Sequence, residues 1–433
     1  MVPLLASMAL ANPRAYLRST FRALQHRNYR LYWTGQLISL VGTWMQSVAQ
    51  GWLMHRLTSS PLMLGLLGFM QFLPVLLLSI WAGVIVDEAD KRRLLLITQA
   101  AFLIQAVLLA TAVSTGIVQP WMVLALAFVF GTINAVDLPA RQSFVVELAG
   151  KEDLSNAIAL NSAAFNTARI VGPAIAGILL ATIGEAGCFW INAVSYVAVI
   201  VSIWRMDLPP KPHIPFVPRR AVETMLEGLR YVKSVPPLRN LLTLLGVTAG
   251  LGFQYMILLP VYARDILNGG AKGYGLLVSA FGLGSLASAV IMTRKLDRWA
   301  LRRNLFFGLM TGAIGMGTFA WSHTIWLSLA MGFLAGFGLI LYVATTNTLI
   351  QITTEDRYRG RVMGLYTLMF VGTAPIGALV AGTIAEHFGA PVATSTSALV
   401  LLGGAIWMVR RLRVLAAREA VTAPIPATPE KVG

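Results

Sequence analysis

Five hydrogen-bonding side chains, Gln36, Ser39, Thr43, Gln46 and Gln50, follow one another at intervals of three and four residues. That spacing puts them on one face of a helix. A polar stripe facing lipid would be costly, so it must face a polar cavity or another helix. We read it as the lining of a cavity, with bonding between helices as the alternative. Ser162, Asn166 and Arg169 share a second face. Gln254 with Tyr255, and Tyr342 with Thr345, Thr346 and Asn347, extend the same chemistry into the second half of the chain. Uncharged hydrogen-bonding groups among aromatic residues such as Trp44 suit an amphipathic or aromatic small molecule. Arg169 stands apart as a cation in an apolar stretch, and an intramembrane charge calls for a partner. The nearest acid by order along the chain is Asp137. The two readings of Arg169 are a functional charge and a structural ion pair with Asp137.

A second constellation is GVIVDEADKRR, residues 83–93. Gly83 permits close helix approach. Asp87 is placed to meet the positive N-terminal end of a helix that follows Arg357–Arg361. Lys91 and Arg92 are placed to pair with Asp137. Together they read as a latch that closes one face of the molecule and breaks when that face opens. Asp297, followed by Arg302 and Arg303, repeats the pattern 210 residues later. Catalytic signatures are missing: no phosphate-binding glycine loop ends in Lys-Ser or Lys-Thr, and the five histidines lack metal-ligand spacing. No enzyme activity, cofactor or metal is expected.

The elements that must hold these residues follow from composition. Of the 433 residues, 57% are hydrophobic and only 12% charged, about half the charge of a soluble chain. Mean hydropathy is +0.71. Such a chain belongs in a lipid bilayer. The net charge of +16 therefore reads as topology-setting loops and not as a nucleic-acid surface. Apolar stretches able to cross the bilayer lie at 31–57, 62–86, 94–115, 121–136, 157–183, 187–204, 238–262, 273–293, 304–322, 326–350, 362–384 and 392–409. The opening MVPLLASMALA lacks a basic start and does not read as a signal peptide.

Twelve crossings divide the loops into two sets. Of the 34 lysines and arginines, one set holds only Arg56, Arg264 and Lys272, and Arg169 lies inside a span. The rest fall in the set that includes both termini, which the positive-inside rule places in the cytoplasm. The domains are then a cytoplasmic segment 1–30, a six-helix bundle 31–204, a linker 205–237, a second six-helix bundle 238–409 and a tail 410–433. Within the linker, 221–235 has apolar Val222, Met225, Leu226, Leu229 and Val232 at helical spacing, which predicts an amphipathic helix on the membrane surface. The halves echo each other. GPAIAGILLATIGEAG contains Gly172, Pro173, Gly177 and Glu185, and APIGALVAGTIAEHFG contains Pro375 and Glu386. Small residues and prolines at these places predict close packing and a bend. Repeated halves around a midplane site are the plan of secondary transporters.

The Gly83–Arg93 loop resembles the signature of the major facilitator superfamily, with Glu88 and Asp90 departing from its pattern. FRALQHRNYRLYWTGQLISLVGTWMQSVAQGWL, QFLPVLLL and DLPARQSFVVEL are similar to the enterobactin-exporter-like branch, the transmembrane secretion effectors. The resemblance implies an all-α membrane protein of twelve helices. It also implies proton-driven efflux of siderophore-like or drug-like molecules across a bacterial inner membrane. A monomer is expected, with the bilayer, the cargo and protons as its partners. Many proton-driven antiporters of this superfamily carry an arginine in the fourth helix, and LALAFVFGTINAV has none. Two other readings stay open. An importer or uniporter on the same fold would not be driven outward by a proton gradient. A non-transporting sensor would more often carry an appended soluble domain than the short TAPIPATPEKVG.

Overall fold

The computed structural model describes residues 21–207, 221–292 and 297–422. These residues form helices joined by short turns, without a strand among them. In chain order they are α1 (Arg27–Thr58), α2 (Pro61–Glu88), α3 (Lys91–Ser114), α4 (Pro120–Gly150), α5 (Glu152–Thr182) and α6 (Gly184–Trp204). A linker helix (Ala221–Ser234) precedes α7 (Pro236–Ile266), α8 (Gly270–Ile291), α9 (Arg298–Ala320), α10 (Ile325–Thr353), α11 (Asp356–Phe388) and α12 (Ala390–Thr422). Ten of the twelve, all but α1 and α9, are long and apolar enough to cross a bilayer. Polar stripe residues lower the hydropathy of α1.

Local chemistry sets the ends of these helices. Prolines open α2, α4 and α7, where the missing N–H costs nothing. The side chains of Ser60, Asp90 and Asp297 accept the N–H groups of Met63, Arg93 and Ala300 and so cap α2, α3 and α9. Asp297, read from the sequence as the repeat of Asp87, thus does the work of Asp90. Gly150, with φ 67°, breaks what would otherwise be one continuous helix into α4 and α5.

Two helices of the second half are discontinuous. Regular helix in α7 stops at Gly252 and resumes at Tyr255, ending in a π-helical turn, Tyr262–Ile266. In α11 it stops at Val371 and resumes at Ala374, beside Pro375. The matching proline of the first half, Pro173, sits inside unbroken α5 and leaves the Arg169 carbonyl without its helical donor.

Close crossings hold each half together. Gly131 of α4 lies against Gln71 and Pro74 of α2, and Gly172 of α5 against Val41 and Trp44 of α1. Gly336 and Gly308 do the same between α10 and its neighbours α8 and α9. The linker helix docks on the second half: Tyr231 stacks on Tyr358 at 4.1 Å and Glu227 pairs with Arg361 at 3.1 Å.

Candidate functional site

The stripe of α1 does not line a cavity between the halves. Gln36, Ser39, Gln46 and Gln50 are all buried. Gln46 donates to Gln105 of α3 at 3.0 Å and accepts from Asn192 of α6 at 2.7 Å. Gln50 donates to the Val123 carbonyl of α4, Thr43 bonds Tyr196 of α6 at 3.1 Å, and Gln36 accepts from Arg141 of α4 at 2.7 Å. The spacing had identified one face of a helix, but spacing cannot say what that face meets. Here it meets three other helices of the same half, which bond Gln36, Thr43, Gln46 and Gln50, while the Ser39 hydroxyl and the Gln36 amide nitrogen are buried without a partner.

The fourth helix also differs from expectation. It runs past Pro139 to Gly150 and carries an arginine after all. Asp137 lies about 26 Å along it, inside a hydrocarbon core of about 30 Å. Its carboxylate is 1% exposed and pairs with Arg141 one turn on. Its other oxygen accepts from Thr98 at 2.7 Å and Gln99 at 2.8 Å. Asp137 is therefore not the partner of Arg169, nor of the basic loop. Lys91 pairs with Glu147 at 3.5 Å, an acid that sits at the true end of α4. Arg92 donates to the Trp204 carbonyl at 2.8 Å. Asp87 ends α2, and its side chain lies outside the described residues. A Cβ added at Gly83 would meet nothing within 4 Å, so the close approach expected there is not made in this conformation. Arg302 is exposed.

The second-half candidates mostly bond within their own half. Tyr342 of α10 is buried and bonds Thr248 of α7 at 2.9 Å. Gln254 donates to the Ala249 carbonyl beside the break in α7 and lies against Gly377 of α11. Asn347 accepts from Gln351 at 2.6 Å, and Asn166 of α5 donates to the Ser162 carbonyl at 2.8 Å.

Contacts between the halves run from mid-span to the face opposite the linker. Two glycine crossings dominate. A Cβ on Gly65 of α2 would come within 2.8 Å of the Gly382 Cα of α11, and one on Gly177 of α5 within 2.9 Å of the Gly275 Cα of α8. Pro173 contributes its carbonyl to the second crossing. At the far face His55, 1% exposed, bonds Asp265 at 2.7 Å. Glu386 accepts from the Ser60 hydroxyl at 2.7 Å and the Leu62 N–H at 3.0 Å. Its counterpart Glu185 holds Arg56 at 2.6 Å. On the linker face, ion pairs among the described residues stay within one half: Arg22 and His26 with Asp153, Lys91 with Glu147, Arg361 with Glu227. The far-face bond between His55 and Asp265, 210 residues apart in the chain, had no signal in the sequence. The Asp137–Arg141 pair had one, an acid and a base at i,i+4 in DLPAR.

Two helical halves, joined at the far face and without an ion pair between them at the linker face among the described residues, have the form of the major facilitator fold. The chain resembles the solved nucleoside transporter NupG with a TM-score of 0.70 at 11% identity, over 90% of this chain and 99% of that one. A bacterial homologue of the human lysosomal transporter Spinster, in an inward-facing and unoccupied conformation, gives 0.64 at 14% identity over 90% and 96%. The transmembrane secretion effector family model matches residues 18–431, and the chain belongs to that family of membrane transporters, which are not enzymes. The staphyloferrin A transporter of Staphylococcus aureus is 24% identical over 83% of this chain and 90% of its own length. The multidrug efflux pump Tap of Mycolicibacterium fortuitum is 28% identical over 86% and 93%. The enterobactin exporter EntS of Shigella flexneri is 24% identical over 90% and 93%.

Proposed function

We propose that this transporter exports small amphipathic molecules, siderophore-like or drug-like, across a bacterial inner membrane by alternating access, in exchange for protons. The observation that carries the reading is the one-sided seal: His55–Asp265, Glu386 and the two glycine crossings join the halves from mid-span to the far face, while ion pairs among the described residues of the linker face stay within one half. Alternating access needs such a state, open to one side and closed to the other. The lysine and arginine distribution supports placing the linker face and both termini in the cytoplasm. The sealed face is then the outer one, and cargo enters from inside. The names of the relatives support the outward direction.

The bundles are proposed as 31–204 and 238–409, joined by the linker 205–237, with α1 and α9 completing twelve spans in a working monomer. Gly83, Asp87, Lys91, Arg92 and Arg302 lie at the inner mouth, and they are proposed to engage when it closes. Proton exchange is assigned to Asp137, a buried carboxylate inside a span; the other carboxylates described lie at helix ends, in loops or on the linker helix. Everted vesicles test the reading with a panel of dyes, antibiotics and siderophores. An acid interior should drive cargo into the vesicles, and Asp137→Asn should abolish the drive while the protein still inserts. Uptake indifferent to the gradient, or driven the other way, would overturn export.

A further inference from the structure

Arg169 lies about 20 Å from the outer end of α5, near mid-bilayer. Its Nε is buried without a hydrogen-bond partner. Among the described residues its guanidinium forms no ion pair. The surroundings come from both halves. Ser279 of α8 donates to the Ile170 carbonyl at 3.1 Å, and a Cβ on Gly282 would come within 3.4 Å of the Arg169 carbonyl. One turn before Arg169 on the same face is Phe165, 45% exposed and edge-on to Trp44 at 5.8 Å. Tyr255 stacks on Phe281 at 4.2 Å.

A cation held at this depth without a counter-charge costs several kcal/mol or forces bilayer distortion. Among the described residues no acid offsets that cost, yet Phe165 lies one turn away on the same face and the two halves meet beside it. We infer that Arg169 is the cargo-recognition charge and that the cargo is an amphipathic anion, a carboxylate or sulfonate on an aromatic body. The guanidinium binds the acid group through paired N–H donors, and the rings of Phe165, Trp44 and Tyr255 take the apolar body. A cationic drug would be repelled from the same place. This inference rests on the carrier reading only in taking the space between the halves as the cargo site.

A matched pair of fluorescent probes isolates the charge: 8-anilinonaphthalene-1-sulfonate and N-phenyl-1-naphthylamine, the same ring system with and without the sulfonate. Each is titrated into the full-length protein in nanodiscs, with no gradient imposed. The wild type should bind the sulfonate at least tenfold more tightly. Arg169→Gln should lose that preference while its affinity for the neutral probe changes less than twofold, and Arg169→Lys should keep part of it. Equal losses for both probes, or an unchanged preference in Arg169→Gln, would overturn the assignment. The wild type alone gives a second measurement that needs no variant to fold. 1-Naphthoate should displace bound sulfonate probe at a tenfold lower concentration than 1-naphthamide, and equal potency would overturn it. Since binding is read without transport, a failure of proton-driven export leaves this result standing, and the reverse also holds.

Discussion

Two arginines sit inside the spans of the first half in opposite surroundings. Arg141 pairs with buried Asp137 and donates to Gln36, within a network that reaches Thr98 and Gln99. Arg169 forms no ion pair among the described residues, and it lies where α5 meets the other half. The difference separates two uses of buried charge. A satisfied pair fixes how helices of one bundle pack, and removing one member strands the other. A charge without an ion pair strands nothing when removed.

The largest expected effect follows from breaking the satisfied side of this contrast. Asp137→Leu should leave Arg141 buried and alone, lowering stability by about 3–5 kcal/mol, read as a fall in the thermal midpoint of the purified protein. Adding Arg141→Met should recover most of that loss. A double variant as unstable as the single one would show that the pair is not the unit. A smaller effect is expected in the α1 stripe. Gln46→Leu removes the partner of both Gln105 and Asn192 and should cost about 1–3 kcal/mol by the same measurement. A neutral outcome would return the stripe to the cavity reading. The smallest effect belongs to Arg169→Met, which should leave the thermal midpoint unchanged or slightly raised. A loss comparable to that of Asp137→Leu would erase the distinction between the two arginines.

Much of the architecture was legible beforehand because a bilayer imposes length and composition on whatever crosses it. Ten of the stretches read as apolar are apolar spans in the structure, and Pro173, Pro375, Glu185 and Glu386 mark equivalent places in the two halves. The site was less legible. Asp137, Pro139 and Arg141 together look like a loop, since each is unfavourable in an isolated apolar helix. Their costs vanish only when Arg141 lies against Asp137, and Thr98 and Gln99 of α3 close the shell. The α1 stripe failed differently: its periodicity was right, but both candidate environments reward the same periodicity. Lys91 found Glu147 and not Asp137 because α4 is longer than the hydrocarbon core, so its acid end lies farther along the chain.

The sequence by itself determined that this chain lives in a membrane and which family pattern it follows. These are properties of local composition and spacing, read one helix at a time. Only the tertiary structure decided which polar residues satisfy one another, where α4 ends, and which face is sealed. Those outcomes depend on contacts between residues as far apart as His55 and Asp265, whose free energy exists only once the helices are packed. The same packing gave Asp137, the partner expected for Arg169, to another arginine, and among the described residues it left Arg169 without an ion pair.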